Sequence, residues 1–361
     1  MQNSLTAKKE RDSWFDNIKG FLMICVVVGH LIGTCISKYP TMNFLYHYIY
    51  SFHMPAFAIV SGYFMKRRVE NKDYASVINK TLVPYLFAQV FVYLIGFVVP
   101  NSNKSLSLGI FSGDGEFSFF FPLYQLWYFA AVMFAFVFCV AVKADKKPLR
   151  AFVLSLIISV GSGVFSYVQL FKLSKSMAFL PFFVIGFICT SDFMNNVKKR
   201  KILIIPSVLI IGASAICLWM LRHEESPIAI FSLISRLQNF AFGIPFEYAI
   251  LVWLGFIFGS TLISFSIFVI SPRKKTPLAI LGRRSNYIFV LHAFVVAVVR
   301  NWHIEKQILF ELDSPLAKVL FLVFCVGVCY LLASKPITTI FRPLIEPNFD
   351  VRKIKEYLNI E

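Results

Sequence analysis

The sequence predicts an all-α, polytopic membrane protein with about ten transmembrane helices and both termini in the cytoplasm. Three observations carry that prediction. Hydrophobic residues make up 58% of the 361 residues and charged residues only 15%, a composition outside the range of a soluble domain. Apolar runs near the length that crosses ~30 Å of hydrocarbon recur along the whole chain. Lys and Arg gather in short linkers between alternate runs, as the positive-inside rule expects. Helices are the expected form because lipid cannot satisfy open backbone groups. The short alternating segments of a strand barrel are absent.

The first run, 17–36, follows Lys8, Lys9 and Arg11, with no small-residue cleavage site, and reads as an uncleaved helix. The second, 44–65, ends on Lys66, Arg67 and Arg68. The third, 77–99, begins beside Lys72 and Lys80, and the fourth, 123–142, runs from an aromatic stretch to Lys143. Next come 150–168, after Arg150, and 177–191, before the Lys198–Lys201 cluster. The remaining spans are 202–221, 245–270, 285–301 and 316–336. Segment 229–244 is apolar but interrupted by Arg236, Gln238 and Asn239, and is assigned to an external re-entrant or interfacial helix. Counting it as a span would invert every later loop and place Arg273, Lys274 and Lys275 outside. With ten spans, 26 of the 36 Lys and Arg fall on the cytoplasmic side and 9 on the other, with Lys19 at the membrane edge.

The net charge of +17 follows from this topology, and nucleic acid is not an expected partner. Seven cysteines lie in or beside apolar segments without a CxxC pair, so neither a disulfide framework nor a metal site is expected. Cys325 and Cys329 share a helix face, and packing is their expected role. No low-complexity linker or internal repeat divides the chain. The expectation is one membrane domain over 1–361, with its core at about 11–340 and a cytoplasmic tail at about 341–361.

Ionisable groups inside apolar segments cost several kcal/mol and mark function. Lys19 precedes His30 by ten intervening residues in the first segment, His53 lies in the second and His292 in the ninth. At ~1.5 Å per residue, His30 lies ~16 Å beyond Lys19, and His53 and His292 lie ~14 Å and ~10 Å inside their own spans. All three imidazoles therefore approach the mid-plane, where each serves either as a helix-bridging hydrogen-bond partner or as a proton carrier. Asp16 and Lys19, three apart, share a helix face at the cytoplasmic edge. Alone they read as a snorkelling interfacial pair. There is no GxSxG nucleophile motif, so direct attack by a hydroxyl activated by histidine is the economical chemistry. Tyr124, Trp127 and Tyr128, at the outer end of the fourth span, are positioned to stack on a sugar ring or to anchor the interface.

The arrangement of Asp16, Lys19 and His30 resembles the N-terminal signature of the acyltransferase-3 family of integral-membrane O-acyltransferases. There a basic residue, commonly Arg, precedes a histidine at this spacing. FHMPAFAIVSGYF resembles the second-helix signature of the fucose-4-O-acetylase-like branch. KTLVPY, LWYFAAV and LGRRSNYIFVLH resemble three later signatures in order, so the likeness runs from about Arg11 to Ser334. Two departures stand out. Lys19 keeps the charge but not the planar fork of Arg, and Ala130 and Ala131 stand where many relatives carry a Glu. The resemblance implies acetyl-CoA or another acyl-CoA as cytosolic donor. Its phosphates would suit Lys19, Lys80, Arg67, Arg68, Arg283 or Arg284, the last four also serving the charge bias of the loops. It implies a hydroxyl of a cell-envelope or exported glycan as acceptor, with membrane lipid and polysaccharide-assembly proteins as partners, in a bacterial inner membrane. His30 is the expected general base, with His53 and then His292 as supporting groups. A proton-coupled transporter or flippase is the rival class. The paired broken helices of transporters are missing from the sequence.

Overall fold

The computed structural model describes residues 11–33, 36, 39–98, 120–122, 124–164, 170–220, 246–301 and 314–346. Among these residues every regular element is helical. In chain order they are α1 (Ser13–Ile32), α2 (Pro40–Glu70), α3 (Tyr74–Val98), α4 (Trp127–Ala141), α5 (Pro148–Val164), α6 (Leu173–Ile188) and α7 (Ser191–Lys199). There follow α8 (Ile204–Met220), α9 (Phe246–Ile270), α10 (Leu278–Arg283), α11 (Ser285–Asn301), α12 (Pro315–Leu332) and α13 (Lys335–Ile345). Each of the ten predicted segments holds one long helix. Among the described residues five helices are long and apolar enough to cross a membrane, and a sixth span arises if α6 and α7, bent by 89°, count as one. The predicted helix over 229–244 lies outside the described residues.

Boundaries moved for local reasons. Pro40 sits in the first turn of α2, where its fixed φ suits a helix start, and the helix continues through Lys66–Arg68 instead of ending before them. After Ile188 the chain turns sharply, because Thr190 caps a new helix by accepting the Phe193 N–H at 3.1 Å. The predicted linker 271–284 contains α10.

The outer surface is apolar. Leu209 on α8 is 66% exposed and Leu316 on α12 is 67% exposed, and Ile205, Val208, Ile216, Val319, Leu320 and Val323 lie open beside them. Stripes of that size meet lipid chains, not water. The inside is organised around α1, most of which is buried against α2, α10, α11 and α12. Glycines make two close crossings possible. A Cβ at Gly20 would strike the Leu278 carbonyl, and one at Gly282 the Asp16 carbonyl, so α10 lies directly on α1. In the same way Gly62 and Gly186 bring α2 and α6 into backbone contact, against Phe183 and Ile59. Cys325 and Cys329 are both fully buried.

Candidate active site

The N-terminal end of α1 is built by its first turn. Asp12 caps the helix by accepting the Trp14 N–H at 3.0 Å. Trp14 Nε1 donates to the Phe268 carbonyl at 3.0 Å. Asn17 Nδ2 donates to the carbonyls of Pro272 and Lys274 at 2.8 and 2.7 Å, and Asn17 Oδ1 accepts from Thr276 at 2.7 Å. These bonds pin segment 272–276 to α1 and deliver α10 onto it. Arg283 thereby reaches Asp16, its Nε standing 3.4 Å from the carboxylate. Arg11 clasps the same carboxylate through two bonds of 2.8 and 2.9 Å, and Lys19 Nζ lies 3.1 Å away. Asp16 is only 1% exposed.

One buried carboxylate thus faces three cations, which leaves a surplus of positive charge at the N-terminal end of the central helix. An anion is the natural ligand of such a cluster. Arg11 was missed as a site residue by sequence reasoning. Its signal, a cation five residues before a buried acid, is indistinguishable from an ordinary topogenic charge. Arg284 plays a different part, donating to the Ala333 carbonyl at the end of α12. Arg67 and Lys80 are exposed and Arg68 is half-buried, and none of the three pairs with Asp16.

Two of the three histidines meet directly. The rings of His30 and His292 lie 5.3 Å apart, centroid to centroid. Tyr50 links the third, at 6.4 Å from His30 and 4.7 Å from His53. Three helices therefore converge: α1 brings His30, α2 brings Tyr50 and His53, and α11 brings His292. His53 and His292 share one local device. Each places Nδ1 against the carbonyl four residues back, Ile49 at 2.7 Å and Ile288 at 2.9 Å. A carbonyl only accepts, so each Nδ1 carries the proton and each Nε2 keeps its lone pair. His292 Nε2 is fully buried and has no hydrogen-bond partner among the described residues. An unpartnered buried acceptor is costly, and a hydrogen-bond donor such as a hydroxyl would satisfy it.

The predicted aromatic platform is arranged differently from an open stacking surface. Trp127 is buried, with Phe179 beside its ring at 5.1 Å and Lys175 Nζ 4.3 Å over its face. Tyr128 is half-buried, its hydroxyl 2.9 Å from Ser61 Oγ and its ring 5.9 Å from Phe289, which in turn flanks His292 at 6.1 Å. Tyr124 opens the 3-10 turn Tyr124–Leu126, and its side chain lies outside the described residues. Among the described residues no group of three His, Cys, Asp or Glu side chains is arranged to hold a metal.

A family model described as an acyltransferase domain matches residues 12–334. Nodulation protein NolL of Sinorhizobium fredii is 34% identical over 84 residues, covering 22% of this chain and 23% of that protein. Nodulation protein NolL of Mesorhizobium japonicum is 32% identical over 104 residues, covering 27% and 28%. The chain thus matches about a quarter of the length of these two relatives. Inner membrane protein YcfT of Escherichia coli is 23% identical over 265 residues, covering 64% of this chain and 72% of that protein. No solved structure matches.

Proposed function

The chain belongs to the acyltransferase-domain family, and from that premise we propose that it is a membrane O-acyltransferase. In this reading it moves acetyl from cytosolic acetyl-CoA to a hydroxyl of a cell-envelope or exported polysaccharide, or of its precursor. The observation that carries the reading is the content of α1: a surplus-cation cluster at one end and, farther along the same helix, His30 against His292. The cluster suits the phosphates of acyl-CoA, and the pantetheine arm would run inward toward the histidines.

At the histidines the proposed chemistry needs no covalent enzyme intermediate. His30 takes the proton of the acceptor hydroxyl as its oxygen attacks the thioester carbonyl. The C–O bond forms, the C–S bond breaks, and the departing CoA thiolate takes up the proton that the imidazole had accepted. His292, through its unpartnered Nε2, holds the acceptor hydroxyl or relays the proton to His30. His53 lies behind Tyr50 and supports from there.

The same reading places one membrane domain of ten spans in a bacterial inner membrane, both termini inside. Membrane lipid surrounds it, and polysaccharide-assembly proteins supply the acceptor. The YcfT relative, an inner membrane protein, supports that location. Single cysteines placed at 66–76, 143–149, 192–201 and 271–284 in a cysteine-free background should resist an impermeant thiol reagent in intact cells. Labelling of 143–149 from outside would overturn the ten-span topology.

The donor site is tested at Lys19. Lys19→Ala should weaken acyl-CoA binding by about 1.5–3 kcal/mol, the worth of one charge-assisted contact, while Lys19→Arg should retain most of it. Isothermal titration of the purified protein with acetyl-CoA reads both. Unchanged affinity in Lys19→Ala would leave Lys19 as a partner of Asp16 alone.

A further inference from the structure

Lys175 is a cation without an acid. It stands in the first turn of α6, half-buried, with its ammonium over the Trp127 ring, and makes no ion pair among the described residues. Its depth follows from how α6 lies on α2. Past the end of α6, Ser191 Oγ accepts from Tyr63 OH at 3.4 Å and Lys198 pairs with Asp12 at 2.8 Å, whereas within α6 Phe183 and Gly186 meet the turn of α2 that holds Ile59 and Gly62, so both helices end on the side of the cationic cluster. Continued toward their starts, that register sets Lys175 level with the turn of α2 that carries His53.

The opposite end of α2 contacts α1 beside the cationic cluster, with Phe64 near Lys19 at 5.8 Å. Lys175 therefore sits on the far side of the histidines from the proposed donor site. A cation kept there lacks the usual reason for Lys and Arg in this chain, which is topology. It also carries a desolvation cost that the face of Trp127 offsets only in part. Tyr128, next to Trp127, leads by way of Phe289 to His292.

We propose that Lys175 reads an anionic group on the acceptor, so that the acylated substrate carries a negative charge beside the hydroxyl that reacts. This rests on the acyltransferase reading for its word "acceptor" but not for its binding. Two sources share the chemistry, the carboxylate of an acidic sugar and the phosphate of a lipid-linked precursor. The geometry assigns Lys175 a binding role in positioning the acceptor, with proton transfer left to the histidines.

The full chain in zwitterionic nanodiscs tests this with two matched probe pairs: oligogalacturonate against its methyl ester, and a short prenyl phosphate against the prenyl alcohol. At least one anionic probe should bind about tenfold tighter than its neutral partner, as one charge-assisted contact allows. The pair that shows the preference identifies the source. Lys175→Gln should abolish the preference, Lys175→Arg should keep it, and neither should alter acetyl-CoA affinity. Thermal midpoints of both variants confirm that they are folded. Equal response to charged and neutral probes in both pairs, absence of binding included, overturns the proposal. So does a charge preference that survives Lys175→Gln. A protein that keeps the Lys175-dependent preference yet transfers no acyl group would instead sink the acyltransferase reading and leave this one standing.

Discussion

Replacing His30 with alanine is expected to lower acyl transfer by about 10²–10⁴-fold, the usual worth of a general base. The protein should remain inserted and folded, because His30 is only half-buried and the closely packed side of α1 is formed by Trp14, Ile18, Leu22 and Val26. His292→Ala should also cost transfer heavily, since it removes the buried Nε2 lone pair 5.3 Å, ring to ring, from His30. His53→Ala should cost less, because Tyr50 stands between it and His30. The assay is transfer of labelled acetyl to membrane glycan, with abundance and thermal stability measured in parallel. A folded His30→Ala protein with near-normal transfer would remove the histidine mechanism.

The largest expected loss of stability comes from Gly282. Its missing side chain lets α10 rest on α1, and a Cβ there would press into the backbone of Asp16. Gly282→Ala should destabilise by about 1–3 kcal/mol, and Gly282→Leu by more. The damage should also reach acyl-CoA binding, because α10 carries Arg283 to Asp16. Gly212 on α8 is the control: among the described residues nothing lies within 4 Å of its Cβ position. Gly212→Ala should be neutral or slightly stabilising, since alanine is the better helix former. Thermal unfolding in detergent measures both. Equal midpoints for Gly282→Ala and Gly212→Ala would mean that the crossing relaxes freely.

The sequence carried the helices well because lipid imposes one rule on every span: an apolar run near the required length is helical. It also placed His30, His53 and His292 at compatible depths. Depth is one coordinate, however, and the convergence of His30 with His292 needs the rotation of each helix about its axis. That rotation is set by contacts remote in sequence, such as Asn17 with segment 272–276 and Gly282 with Asp16. Arg11 and Lys175 escaped for a related reason. A lone cation at a span end has the same local signature whether it serves topology, clasps a buried acid or faces a binding site. Trp127 shows the opposite case. Its place at the outer end of a span suggested sugar stacking or interfacial anchoring, and α6 covers its ring with Lys175 and Phe179. The break between α6 and α7 was marked by a legible cap, Thr190, but an apolar run ending near 191 hid the 89° bend.

The central claim is that one chain takes an acyl group from the cytosolic face and bonds it to an acceptor hydroxyl at the histidines of α1 and α11. Inside-out membrane vesicles bearing the protein and its native glycan, supplied externally with acetyl-CoA labelled in the acetyl group, test it most directly. The prediction is that label becomes covalently bound to glycan, with one CoA thiol released per acetyl transferred, and that both signals are lost together in His30→Ala. Glycan or small solute crossing the vesicle membrane with no CoA thiol released would contradict it and identify a transporter.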